Sequence, residues 1–388
     1  MWGKIKEKIM LSIIAVAIIS LIIGVGLFFA SQSSEPEFRN KVEKIIYERK
    51  NKSPKYILTL PDRIRHPSAE QASAEPAAPR PAETADDYVR EVMAGTPNLS
   101  KLPDVSNFKP LPQVEVDSSL EIEEGGLLLP RIADNGDKAW VEYSAEPEAV
   151  APGFFKVAIV VKGAGLDRRT TNAVIDKFPS PIALSFSPYG PEIKPLIKKS
   201  REKGHETYVD LYLSSKDFLK SDSGPLSMSI TASQAENFAR FHKSLNLASP
   251  VSGIVVNRGI SDEGSRPRII ELFTDVRDRG LAMVDATGED GVSQAEVKGL
   301  PRRHADIVID EDFSRANVRQ QIDKAEVLAQ KNGAVVIAVA PKPIVLQELY
   351  NWVQTFSPQL SYEQMKAQNV QEAEHPFALV PLSSVITE

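Results

Sequence analysis

Cysteine is absent from the 388 residues, which rules out disulfides, thiolate nucleophiles and thiolate metal ligands and leaves either redox compartment open. Positive charge is not in excess either: 46 Lys and Arg against 52 Asp and Glu give a net charge of −6. A chain so balanced lacks the unneutralised Lys and Arg clusters that bind phosphate backbones, so nucleic acid is excluded as a partner. Histidine is scarce, at five residues. The usual nucleotide and serine-hydrolase signatures are missing as well. Gly163-Ala164-Gly165 precedes a helical pattern, but Thr170-Thr171 follows where a dinucleotide fingerprint needs a further glycine. No phosphate-loop pattern and no Gly-x-Ser-x-Gly elbow occurs.

What is present begins with a long apolar run. Residues 9–30 (IMLSIIAVAIISLIIGVGLFFA) are uncharged and, at roughly 1.5 Å per residue, span the ~30 Å hydrocarbon core of a bilayer. Lys4, Lys6 and Lys8 precede the run, so the positive-inside rule keeps residues 1–8 in the cytoplasm and sends the rest outside. The competing reading is a cleaved signal peptide, against which stand the length of the run and Phe28 near the cleavage position. Residues 31–112 are rich in Pro, Ala, Glu and Ser, above all between His66 and Pro81, and read as a disordered linker with polyproline-II segments. A short amphipathic helix fits around Phe38 to Lys50. Residues 113–152 read as an ordered lead-in, with extended pieces at Leu127–Ile132 and Ala139–Tyr143 around a polar turn.

From residue 153 to 388, strand and helix patterns alternate. Lys156 to Val161 is a continuous, mostly β-branched and apolar run between Pro152-Gly153 and Gly163-Ala164-Gly165, the mark of a strand buried on both faces. Asp167 opens a helix behind it, which puts Lys162 at the strand's C-terminal edge, where α/β folds place their chemistry. Further strands are expected at 182–186, 206–213, 253–256, 281–284, 306–309 and 334–339, with helices at about 193–203, 232–245, 268–279 and 315–331. Seven or more such units without a break imply a parallel sheet closed into a barrel.

The succession of Val157–Val161 with Gly165, Ser187-Pro188-Tyr189-Gly190-Pro191, Gly204-His205-Glu206, Gly253 with Gly259, Val284-Asp285 and Leu379-Val380-Pro381-Leu382-Ser383 resembles the divergent polysaccharide deacetylase family. This family is a distant branch of the metal-dependent carbohydrate esterases, and the resemblance runs from about Leu129 to Ile386. It implies an α/β fold, a distorted (β/α) barrel of the polysaccharide deacetylase type. It also implies metal and catalytic groups at strand ends where this chain differs. Two aspartates are expected where Lys162-Gly163 stands, a His where Asp210 stands, a His at Asn257 (followed by Arg258), and a His-Pro-His-Pro motif where Ala340-Pro341-Lys342-Pro343 stands.

Metal-assisted hydrolysis of an acetamide needs neutral imidazole or carboxylate ligands and an open position for water. A lysine ammonium at the first strand end repels a cation by roughly 4 kcal/mol at 4 Å in an effective dielectric near 20. His205 fits a turn hydrogen bond and His242 a solvated helix face. His304 lies near Asp306, Asp310, Glu311 and Asp312, where helix capping or solvation of the acids competes with a metal site. The expected protein is therefore a single-pass bacterial inner-membrane protein with a periplasmic, metal-free pseudoenzyme domain that needs no cofactor and has no catalytic residues. Its partner is an envelope glycan, peptidoglycan or another polysaccharide, or an envelope protein. The cleft residues are Lys162, Asp210, Tyr212, Asn257, Arg258, Asp285 and Lys342. The alternatives are an active carbohydrate deacetylase with a rearranged site built on Asp210 and Asp285, and a structural envelope scaffold.

Overall fold

The computed structural model describes residues 97–106, 108–146, 149–213, 224–229, 232–257, 266–288, 297–356 and 375–387, all within one compact unit, Ala82–Glu388. The expected membrane segment 9–30, most of the linker and Arg258 lie outside the described residues. Among the described residues no helix is long and apolar enough to cross a membrane.

Nine strands form one parallel sheet: β3 (Phe155–Ala164), β4 (Ala183–Phe186), β5 (Thr207–Tyr212), β6 (Gly253–Asn257), β7 (Ala282–Ala286), β8 (Arg302–His304), β9 (Ile307–Ile309), β10 (Ala334–Val339) and β11 (Phe377–Leu379). Their order is β8-β7-β6-β5-β4-β3-β10-β9, with β11 also on β3. The edge strands β8 and β9 are joined by two residues, so the sheet must curl until its edges meet. Ala305 N–H bonds Asp285 O at 2.8 Å, and Asp306 N–H bonds Val336 O at 2.9 Å. The segment Arg302–Ile309 thus passes from β7 directly to β10.

Alternation along each strand separates two apolar layers. Val157, Ile159 and Val161 of β3, with Val209 and Leu211 of β5, pack outward with helix residues such as Val174, Ile175 and Phe241. Ala158, Val160, Tyr208, Val255, Val284, Val336 and Ala338 fill the interior, closed at the N-terminal end by Val380, Leu382 and Ile386. Small residues dominate inside because a narrow curled sheet leaves little room.

The outer helices include α2 (Arg168–Lys177), α3 (Ile193–Glu202), α4 (Gln234–Ala248), α5 (Arg266–Asp278), α6 (Arg315–Asn332) and α7 (Pro343–Val353). Their starts follow capping chemistry. Asp167 accepts from Thr170 N–H at 2.8 Å, Ser233 and Glu236 form a reciprocal capping box, and Ser314 caps α6, whose far end is Gly333 in the left-handed region. The helix α7 was not anticipated. Pro343 occupies its first turn, where the missing N–H costs nothing.

The lead-in differs from expectation in two ways. Residues 97–112, placed in the linker by composition, include the buried Leu99 and Leu111, and Leu111 N–H bonds Arg201 O at 3.0 Å. The extended pieces are β1 (Glu121–Glu124) and β2 (Leu127–Pro130), an antiparallel pair, whereas Ala139–Glu142 is a helical turn, α1. Trp140 N–H there bonds Gly280 O at 3.0 Å, a tertiary contact that fixes the local conformation.

Candidate functional site

At the C-terminal mouth of the barrel, inward positions bring together Lys162 from β3, Ser185 from β4, Asp210 and Tyr212 from β5, Asn257 from β6, and Asp310 just past β9. Lys162 is 6% exposed. Its Nζ lies 2.9 Å from Asp310 Oδ2 and 3.5 Å from Ala286 O. Asp310 remains 35% exposed at its side chain. The ammonium expected to repel a metal is therefore neutralised by an acid on the facing side.

Asp210 is 1% exposed and fully engaged. Its Oδ1 accepts from Ser185 Oγ at 2.5 Å, and its Oδ2 accepts from Gly163 N–H at 2.8 Å and Tyr212 OH at 3.0 Å. Burial pushes the carboxyl upward from its ordinary value, while Ser185, Asn257, Gly163 and Tyr212 as donors pull it back. Gly163 has φ +70°, a left-handed conformation that suits glycine and lets its N–H turn toward Asp210. The same burial, with the adjacent Asp210 charge, raises the Tyr212 phenol.

Tyr212 OH also lies 3.2 Å from Ser187 Oγ, and its ring sits 5.6 Å from that of Tyr189. Tyr189 OH accepts from Leu226 N–H at 2.9 Å, which seats the returning end of the β5–α4 connection on the Ser187–Gly190 loop. A Cβ on Gly224 would meet the Tyr189 ring at 2.7 Å, so this seat requires glycine. The rim carries Leu166, 54% exposed, with Pro341 close to Gly163 and Lys342 Nζ 5.4 Å from the Phe313 ring centroid.

Asp285 is a correction. Its register partner on β6 is Val256, an outward residue, so Asp285 faces away from the mouth. Its Oδ1 accepts from Thr287 Oγ1 at 2.5 Å, and its Oδ2 lies 3.6 Å from His304 Nδ1, too far for a hydrogen bond, and has no hydrogen-bonding partner. Burial opposes both charges, yet the contact raises His304 above its ordinary value and, together with the Thr287 N–H and hydroxyl donors, keeps Asp285 below its own. His304 therefore joins Asp285 rather than Asp310 or Asp312, and Asp312 accepts from Ser314 N–H at 2.9 Å, at the start of α6. His205 is fully buried, with Nδ1 2.7 Å from Ile182 O. His242 is not on a solvated face; its Nε2 lies 2.9 Å from Asp275 Oδ2, within a network that includes Arg279.

The model of the divergent polysaccharide deacetylases matches residues 159–367, more than half of the chain and every strand end that forms the mouth. The chain belongs to this family. A solved structure, an uncharacterized protein of Agrobacterium tumefaciens C58, aligns with a TM-score of 0.57 at 19% identity. The alignment covers 67% of this chain and 99% of that one and speaks for the fold alone. No curated protein matches the chain.

The divalent metal that the family resemblance implies does not fit these residues. Both Asp210 oxygens are occupied by donors, and Lys162 adds a positive charge opposite them. Among the described residues no group of three His, Asp or Glu side chains gathers as a ligand set. Sequence reasoning placed Lys162, Asp210, Tyr212 and Asn257 at the mouth, and missed Ser185, Ser187, Tyr189 and Asp310. Asp310 could have been found, because it directly follows a strand end. The cavity of 360 Å³ beside Phe108, Pro110, Gly204 and Pro381 lies at the opposite, N-terminal end and includes none of these residues.

Proposed function

We propose that this divergent polysaccharide deacetylase domain is a metal-free pseudoenzyme that binds an envelope glycan in the barrel mouth, held outside the bacterial inner membrane by residues 9–30 and a Pro-rich spacer. The observation that carries the reading is the pairing of Lys162 with Asp310 beside a buried Asp210 whose two oxygens already accept from three donors. A water-activating centre needs unsaturated donors and an open coordination position. A binding site needs fixed polar groups and an apolar rim, and Tyr212, Asn257, Leu166, Pro341 and the Lys342–Phe313 pair supply them. Membrane anchoring rests on the uncharged apolar run and the three preceding lysines.

The test uses the full-length chain in detergent with purified peptidoglycan and chitin oligosaccharides. Retention on glycan that is lost in Lys162→Met, without release of acetate, supports the reading. Acetate release stimulated by added zinc, cobalt or manganese would establish the enzyme alternative instead. Equal, weak retention of wild type and variant would overturn glycan binding at this mouth.

A further inference from the structure

The two carboxylates at the mouth are held very differently. Asp210 is 1% exposed and both its oxygens accept from Ser185, Gly163 and Tyr212, so a ligand does not reach it to pair with it. Asp310 makes one ion pair, to Lys162, from a loop position where its side chain is 35% exposed. Its environment is open enough to hydrate the carboxylate if it swings away. Lys162, by contrast, is fixed: its stem is packed inside the barrel and its ammonium points into the mouth.

Beside this pair, Lys342 is exposed and stacks on Phe313, with no acidic partner among the described residues. Lys162 and Lys342 are thus the two cations at the mouth, and Asp310 is the acid paired with the first of them. Leu166 and Pro341 add an apolar edge beside these charges, the combination that accepts the flat face of a sugar ring.

Taking the glycan-binding reading as its basis, we propose that the mouth recognises an acidic saccharide, and that Asp310 is an internal stand-in for the ligand's own carboxylate on Lys162. Binding is an exchange: the sugar carboxylate accepts from Lys162 Nζ in place of Asp310, and Lys342 pairs with the same anion or the next one along the chain. No covalent bond changes. Asp310 lowers affinity because it competes for Lys162, yet it raises selectivity, because a neutral sugar cannot displace it.

Titration calorimetry of the full-length chain with a hyaluronan tetrasaccharide and with the neutral N-acetylglucosamine tetrasaccharide distinguishes the outcomes. The acidic sugar is expected to bind about tenfold more tightly, with the preference falling as salt rises from about 50 mM to about 500 mM. Asp310→Asn is expected to tighten the acidic sugar about threefold or more and leave the neutral one unchanged, whereas Lys162→Met removes the preference. If Asp310→Asn does not fold, the salt dependence of the wild type decides alone. Equal affinity for both sugars, or weaker acidic binding in Asp310→Asn, overturns the exchange while leaving glycan binding intact. Binding of neither sugar overturns both.

Discussion

The two ends of the barrel each bury a strongly polar centre, and they close it in opposite ways. At the N-terminal floor, Arg201 is fully buried, its Nε and Nη2 on Gln113 O, its Nη1 on Thr207 Oγ1 at 3.0 Å and its plane 5.0 Å from the Tyr143 ring centroid. Glu206 beside it accepts from Ala145 N–H at 2.9 Å, Ser383 N–H at 3.0 Å, Ser383 Oγ and Tyr208 OH. The partners there are backbone groups and side chains drawn from the lead-in, β5 and the C-terminal tail. At the mouth, Asp210 is closed in the same manner, but Lys162 has a partner that solvent can reach. A charge locked by backbone partners on several segments stabilises the fold. A charge with one replaceable partner is available for recognition.

The largest expected effect tests the floor. Arg201→Ala removes the guanidinium donors to the part-buried Gln113 carbonyl and the buried Thr207 hydroxyl, and it should cost about 3 kcal/mol in denaturant unfolding. Burial has already drawn this guanidinium down to about 10, a sign of how few polar alternatives the floor offers. A loss below about 1 kcal/mol would make the two ends alike. Next is Asp210→Ala, which strands the Gly163 N–H and frees Tyr212, with a loss of about 2 kcal/mol. Glycan binding should fall with it, because Tyr212 is no longer fixed.

Lys162→Met is expected to shift stability by less than about 1 kcal/mol, since the methionine fills the same space and Asp310 can be hydrated. Its effect should appear in binding instead. A large stability loss here would place the mouth in the same class as the floor. The smallest effect is the pH response of the outward pair. His304 is raised on folding, so its contribution is present below about 6.5 and lost as pH rises through the folded value. Asp285 is lowered, so its contribution is present above about 3.9 and lost as pH falls through its folded value. The pair therefore helps most between about pH 4 and 6.5, and screening at the half-exposed His304 limits it to a few tenths of a kcal/mol. Melting temperatures of wild type and His304→Gln should differ at pH 5.5 and converge at pH 8.

The legible parts of the fold are those where periodicity and turn chemistry agree locally. The ten-residue β3, the strand β10 and the helix α6 between Ser314 and Gly333 follow from apolar runs and caps. Lys162 was recognisable as a strand-end residue for the same reason, whereas Asp210 and Asn257 were singled out by the family resemblance. Asp310 was passed over although the strand before it was expected, because it begins an acidic run, which ordinarily reads as solvated. Ser185 was hidden because a lone serine in an apolar strand carries no charge to draw attention. Asp285 was misassigned because β7 is buried on both faces, so its residues show no polar alternation from which to read direction.

The sequence alone determined that strands and helices alternate, that lysine stands at the first strand end, and that imidazoles are missing from the positions where the family resemblance expects them. These follow from residue type and near-neighbour spacing. Only the tertiary structure decided which acids meet which bases. Asp310 reaches Lys162 across 148 positions of chain, and Asp285 turns to His304 because Val256 beside it faces outward. Strand register and sheet curvature set those pairings, and both depend on packing between segments far apart in the chain.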